Sequence, residues 1–363
     1  MIGRVPPLSI GSRENRVDRQ NNFDLLRLVA ATLVMFSHAF LLAENSQQHD
    51  PLMLLTGGQA MLGVVGVFVF FTISGYLVTQ SFDTTRSPLI FLAKRALRIF
   101  PGLFVCLVVC VFVVGPLVTG LPLAEYFSHP TTYLFLLHNA VLHVDYNRLP
   151  GVEFWRGDIG GIVNGPLWSL PCEAMMYLML FGLGVARLLT LAMTALLLAV
   201  GLGCLWLDVT DALGGALWLL GFFAAGICLY RLRNSGFICG RGALIAGIGM
   251  ALSVPAGLFV VCFPLFGAYL VIWFALSRRI RPIPAARFGD LSYGLYIYGW
   301  PIEQCVVWLS EATAPWWEVF VMSLAIAAPT ALLSWHLVEK RCRWRRRRGA
   351  SEKLAAGNVS VAG

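Results

Sequence analysis

Apolar side chains along this chain come in runs of bilayer length, broken by short polar and mostly basic stretches. Ala60–Val78 and Ile99–Ala124 contain no charged residue. A hydrocarbon core about 30 Å thick is crossed by roughly 20 residues in helical form. The pattern predicts ten spans: Phe23–Leu42, Met61–Gln80, Ile99–Thr119, Trp168–Ala186, Leu188–Leu207, Ala212–Tyr230, Ala243–Val254, Ala256–Leu276, Leu291–Leu309 and Trp316–Val338. The seventh is the shortest, and Pro255 separates it from the eighth, so it reads as a half-helix or re-entrant element. Tyr133–Val144 is apolar but shorter still, and reads as an interfacial or buried helix outside the count. The expected fold class is therefore all-α, a polytopic membrane protein of about ten helices.

Composition agrees with the pattern. Apolar residues make up 58% of the 363 and charged residues only 13%, about half the share of a soluble domain. The charges that remain are sorted. With ten spans, both termini and the even-numbered connections share one side. All Lys and Arg except Arg27, Arg148 and Arg156 then fall there. Cytoplasmic loops carry this excess, so both termini are expected in the cytoplasm and the membrane is expected to be the inner (plasma) membrane. The net charge of +8 is mostly an orientation signal. The run RCRWRRRR reads as facing anionic lipid rather than nucleic acid. The expected organisation is a tail over 1–22, a membrane domain over 23–338 with an outer loop near 120–166, and a basic tail over 339–363. The first 22 residues have no apolar core and do not read as a cleaved leader. Cys106, Cys110, Cys204 and Cys262 sit in spans without a metal-binding spacing. Neither a disulfide nor a metal site is expected.

Ionisable residues inside spans are costly and mark function by default. The first span, FDLLRLVAATLVMFSHAF, holds Arg27 and His38 eleven residues apart. That spacing returns to nearly the same helix face after about 16 Å of rise. The face carries a guanidinium near the cytoplasmic end and an imidazole toward the outer end. An imidazole is well suited to general base work near neutral pH. The bland alternative is a snorkelling Arg27 and a structural His38. Arg95 and Arg98, in FLAKRALRIFPGL, share a face just before Pro101, which reads as the entry to the third span. They suit phosphate groups, or form an ordinary basic flank. Glu173, in VNGPLWSLPCEAMMYLML, enters the fourth span from the outer side, at about the depth of His38. Glu303 is a weaker candidate of the same kind. Trp168 reads as an interfacial anchor, and Ser74 with Gly75 as small residues for close helix packing. His49, His129, His138, His143 and His336 read as solvated or interfacial, with His138 a possible cavity residue.

The chain resembles acyltransferase family 3, the membrane O-acetylases of O-antigen, exopolysaccharide and Nod factors. The resemblance rests on five blocks in order: FDLLRLVAATLVMFSH, GVFVFFTISGYLV, RALRIFP, LPGVE…VNGPLWSLPCEAMMY and GDLSYGLYIYGWP, spanning Asn22 to His336. It implies transfer of an acyl group, often acetyl, from acetyl-CoA or another acyl-CoA to a sugar hydroxyl. It implies that His38 and Arg27 are essential and that Arg95 and Arg98 serve the donor. Many relatives have His where this chain has Gly299. No fused esterase-like domain of the kind some relatives have is expected after the basic tail.

The two lines together predict a catalytic group of His38, Arg27 and Glu173 and a donor site of Arg95, Arg98 and Arg27. Trp168, Ser74 and Tyr296 are added for the acceptor or cavity. The expected partners are acyl-CoA as donor substrate, a carbohydrate or glycolipid acceptor, and membrane lipids. No nucleic acid and no permanently bound cofactor are expected. Direct transfer and a covalent acyl-histidine relay remain alternatives. The competing class is a transporter or flippase, which also buries charge.

Overall fold

The computed structural model describes residues 21–342, apart from 86, 156–158, 210–214, 278–279, 281–282, 284 and 288. Of the two basic tails predicted for the cytoplasm, 1–20 and 343–363 thus lie outside the described residues, as do Arg86, Arg156, Arg278, Arg279 and Arg281, whereas 339–342 continue the last helix. Within them every regular element is helical and no strand occurs.

The order begins with α1 (Phe23–Glu44), a short α2 (Pro51–Thr56) and α3 (Leu62–Thr84). Then α4 runs over Pro88–Val118, followed by α5 (Leu123–Ser128) and α6 (Pro130–Ala140). A 3₁₀ turn at Gly165–Trp168 leads into α7 (Ser169–Val185). Next come α8 (Leu191–Trp206), α9 (Ala216–Arg231) and α10 (Gly240–Ser253). The chain closes with α11 (Phe259–Leu276), α12 (Leu291–Leu309) and α13 (Trp316–Cys342).

Each of the ten predicted spans contains a helix. Six are long and apolar enough to cross a bilayer unaided: α1, α3, α4, α7 with its 3₁₀ turn, α11 and α13. Helices α8, α9 and α10 have 14 to 16 residues, and α12 buries Glu303 and Gln304. Among the described residues, length and apolarity alone therefore license six crossings. The apolar stretch after Tyr133 forms part of α6, outside these ten.

The third predicted span is longer than its apolar run. Its helix starts at Pro88, where proline at the first position costs no hydrogen bond, and passes through Pro101. At 31 residues it extends about 46 Å. Arg95 and Arg98 are consequently inside the helix, not on a flank ahead of it. Wide π turns interrupt α4 at Cys110–Val114, α11 at Phe263–Gly267 and α13 at Trp335–Glu339.

Three packings position the site. First, α3 crosses α9 at glycines. A Cβ on Gly75 would overlap the Phe223 carbonyl, and one on Gly226 would overlap that of Thr72. Only hydrogen at these positions permits such close backbone contact. Second, α1 and α12 run parallel. Met35 lies against Gly299, where a Cβ would stand 2.8 Å from the Met35 Cγ, and one turn further on His38 faces Glu303. Third, α7 runs antiparallel to α12. A Cβ at Gly165 would lie 3.1 Å from the Trp300 ring, and the Ser169 hydroxyl meets that of Tyr296 at 2.6 Å.

The loop between α6 and the 3₁₀ turn is drawn into this bundle. The Ile162 carbonyl accepts from Trp300 Nε1 at 2.9 Å and Gln304 Nε2 at 3.0 Å. Asn164 Nδ2 donates to the Ile297 carbonyl at 2.9 Å, and Cys106 Sγ approaches the same oxygen at 3.2 Å. That carbonyl needs them. Its helical partner would be the N–H of residue 301, which is proline.

Candidate active site

Two polar centres lie along the α1–α12 pair. One gathers around Arg27. Two cavities share Arg27, Arg95 and Arg98 as common walls. The outer cavity, about 310 Å³, adds Lys94 and Asp290. The inner one, about 70 Å³, is lined by Ser74, Glu173, Tyr177, Ser169 and Tyr296. A wide cationic mouth thus narrows to a small chamber in which hydroxyls and one carboxylate are set among apolar side chains such as Phe70, Phe71 and Leu170.

The cations differ in their partners. Arg98 Nη1 stands 3.0 Å from Asp290 Oδ2 and 3.9 Å from Glu339 Oε2. Its guanidinium also lies 5.2 Å from the Tyr293 ring centroid. Arg95 lies between the rings of Phe91 and Tyr177, at 5.8 and 5.7 Å. It donates one long hydrogen bond to Ser81 Oγ, at 3.4 Å, and its Nε has no partner. Among the described residues neither Arg27 nor Arg95 forms an ion pair with a carboxylate. Among the described residues, Arg27 and Arg95 thus bring to the mouth positive charge that no ion pair answers.

Glu173 belongs to this centre. Tyr177, one turn further along α7, donates to its carboxylate, and Ser74 Oγ does so at 3.3 Å. The expectation that Glu173 sits level with His38 is corrected. The residue level with Trp300 is Gly165, in the 3₁₀ turn ahead of α7, and Glu173 is eight residues further on, about 12 Å toward the arginines. The inward-drawn loop is the reason: the fourth helix begins deep in the bundle, not at its rim.

The second centre is the one His38 makes with Glu303. His38 Nδ1 stands 3.5 Å from Glu303 Oε2, and the Glu303 side chain is fully buried. Neither Glu303 oxygen has a hydrogen-bond partner, nor does His38 Nδ1. A carboxylate in such a place is costly unless a cation or donor answers it, and the imidazole is the group that faces it. His38 Nδ1 is inaccessible, so the 16% exposure of the side chain lies on its other atoms. Trp300 meets the imidazole edge to face at 4.8 Å. Glu303 was legible as a charge inside an apolar run. Trp300, Tyr177 and Asp290 carried no such signal, because aromatic rings and loop carboxylates are common in membrane proteins.

The other predicted residues separate. Ser74 lines the inner cavity while its neighbour Gly75 makes the helix crossing, and Tyr296 closes the cavity with Ser169. Trp168 is 39% exposed and lies against Gly215, outside the cavity lining. His138, in the last turn of α6, packs on Tyr146 of the following loop, with ring centroids 4.1 Å apart. No group of His, Cys, Asp and Glu among the described residues has the arrangement of a metal site.

Comparison with known proteins fits this geometry. The family model described as an acyltransferase domain matches residues 20–337. An "O-acetyl transferase" of Shigella phage Sf6 is 29% identical over 344 residues, covering 89% of this chain and 96% of the relative. "Nodulation protein 10" of Rhizobium leguminosarum bv. viciae is 30% identical over 369 residues, covering 91% and 95%. No solved structure is significantly similar. The chain therefore belongs to this acyltransferase family and is a helical membrane O-acyltransferase.

Proposed function

We propose that the protein moves an acyl group, acetyl in the simplest case, from acyl-CoA to a hydroxyl of a carbohydrate or glycolipid acceptor, with His38 as general base. The observation that carries this reading is the His38–Glu303 pair on the same two helices that border the cationic cavity. With Nδ1 turned to Glu303, Nε2 is free to take the hydroxyl proton. The alkoxide oxygen then attacks the thioester carbonyl, a C–O bond forms, and the C–S bond breaks. The imidazolium returns the proton to the leaving thiolate. Glu303 balances the imidazolium while it exists and holds the ring in one orientation.

The donor is anionic at one end and neutral at the other. Its phosphates match the guanidiniums of Arg27 and Arg95 at the wide mouth, neither of which is held in an ion pair among the described residues. Its flexible arm then follows the α1–α12 face toward His38. Glu173, held by Ser74 and Tyr177, gives the chamber its polarity rather than serving the imidazole. The reading puts the arginine mouth at the cytoplasmic face of the inner membrane, in keeping with the Lys and Arg bias of the loops, and the acceptor at the His38 end. Purified protein given labelled acetyl-CoA and a glycolipid acceptor tests it. Label should pass to the acceptor as an ester with the native protein and not with His38→Ala; equal transfer by both would end this assignment.

A further inference from the structure

The two arginines of the Arg95–Arg98 pair have opposite surroundings although they share a helix face. Arg98 meets two carboxylates, from the residue just ahead of α12 and from the π turn of α13. Both acids are nearly buried, Asp290 at 8% and Glu339 at 4% exposure. Ser292 Oγ donates to Asp290 at 2.7 Å and Ser334 Oγ to Glu339 at 3.2 Å. The backbone is fitted to this meeting. A Cβ on Gly102, one turn beyond Arg98, would stand 2.8 Å from Tyr293 and 3.5 Å from Glu339. Arg95 has no carboxylate and an unpartnered Nε.

A guanidinium already answered by two buried acids has little charge left for a ligand, and drawing it away would leave both acids uncompensated. We infer that Arg98 is a positioning residue, not a donor ligand. It clamps α4 to the start of α12 and to α13, and so holds Arg95 toward the cavity, where Arg95 and Arg27 bind the anionic end of the donor. This inference rests on the acyl-CoA reading and divides the work within it. Glu339 and Asp290 become functional residues although neither touches the donor.

Charge-neutral replacement separates positioning from binding. A buried ion triad can be replaced by neutral groups of similar shape, whereas removing one member strands the others. The probe is adenosine 3′,5′-bisphosphate, the anionic end of coenzyme A, titrated against full-length protein in detergent. Arg98→Gln should lower thermal stability and weaken probe binding. Adding Asp290→Asn and Glu339→Gln to it should restore affinity to within threefold of the native protein. Arg95→Gln should weaken binding tenfold or more. A folded triple variant that binds tenfold more weakly, or worse, overturns the inference. Arg98→Lys keeps the charge and is the milder arm if the triple variant does not accumulate. It should bind within threefold, and a loss equal to that of Arg95→Lys overturns the inference as well. If neither Arg27→Gln nor Arg95→Gln alters probe binding, the donor reading itself fails, which is a different result.

Discussion

Glu303 faces Nδ1 of His38 at 3.5 Å from within a fully buried site, with no hydrogen-bond partner on either oxygen. A carboxylate so placed acts on the orientation and charge of the imidazole. Glu303→Gln keeps the shape but cannot balance an imidazolium. It should lower kcat about 10- to 100-fold while leaving the KM for donor near its native value, a smaller loss than the roughly 10²–10⁴-fold expected of general base removal. Steady-state kinetics on purified protein checks the ratio. An unchanged kcat would detach Glu303 from catalysis.

Tyr296 and Ser169 close the inner cavity one helical turn short of Trp300, their hydroxyls 2.6 Å apart. A donor arm passing toward His38 has to displace that contact. Tyr296→Phe removes the hydroxyl and leaves the ring, which packs against Phe70 at 5.6 Å. Its expected effect is a few-fold change in the transfer rate with unchanged affinity for the anionic end of the donor. Pre-steady-state measurement of acyl transfer after donor mixing reads the two separately.

Asn164 Nδ2 answers the Ile297 carbonyl that Pro301 leaves without its helical partner. Asn164→Ala leaves that carbonyl only the weak Cys106 thiol donor and should cost about 1–2 kcal/mol, the lower part of the range for an unanswered buried polar group. Thermal unfolding in detergent measures the loss. Pro301→Ala supplies the missing N–H, so Asn164→Ala should cost less in that background than in the native one. Equal cost in both backgrounds would mean that the carbonyl is not what Asn164 serves.

The α3–α9 crossing tolerates no side chain at Gly75, because a Cβ there would overlap the Phe223 carbonyl. Gly75→Ala should destabilise the protein by about 1–3 kcal/mol, and Gly75→Leu should prevent its accumulation in the membrane. Gly182, where a Cβ would meet nothing within 4 Å, is the matched control: Gly182→Ala should leave both properties unchanged. Quantitative membrane blots and thermal shifts give the comparison.

The periodicity of apolar residues was enough to locate ten helices, because each is written in a contiguous run. It was not enough to count crossings, because bilayer length is a property of helix and lipid together and three of the helices are short. Arg27 and His38 were legible as one face because a single helix carries both. Glu173 was misplaced because its depth depends on how far the preceding loop descends, which Trp300, Gln304 and the Ile297 carbonyl decide from elsewhere in the chain. The pairing of Glu303 with His38 was hidden for the same reason. Each residue was visible as a charge or imidazole in an apolar run, but their meeting requires the parallel packing of α1 on α12. The difference between Arg95 and Arg98 likewise depends on two acids far along the chain.

The central claim is that donor binding at the arginine mouth and proton transfer at His38 are separate steps served by separate residues. Acceptor-dependent release of free coenzyme A by His38→Ala, measured beside its affinity for acetyl-CoA, tests this most directly. The account predicts native affinity with release lowered by at least about 100-fold. Release at the native rate, or loss of acetyl-CoA binding in a folded His38→Ala protein, would contradict it.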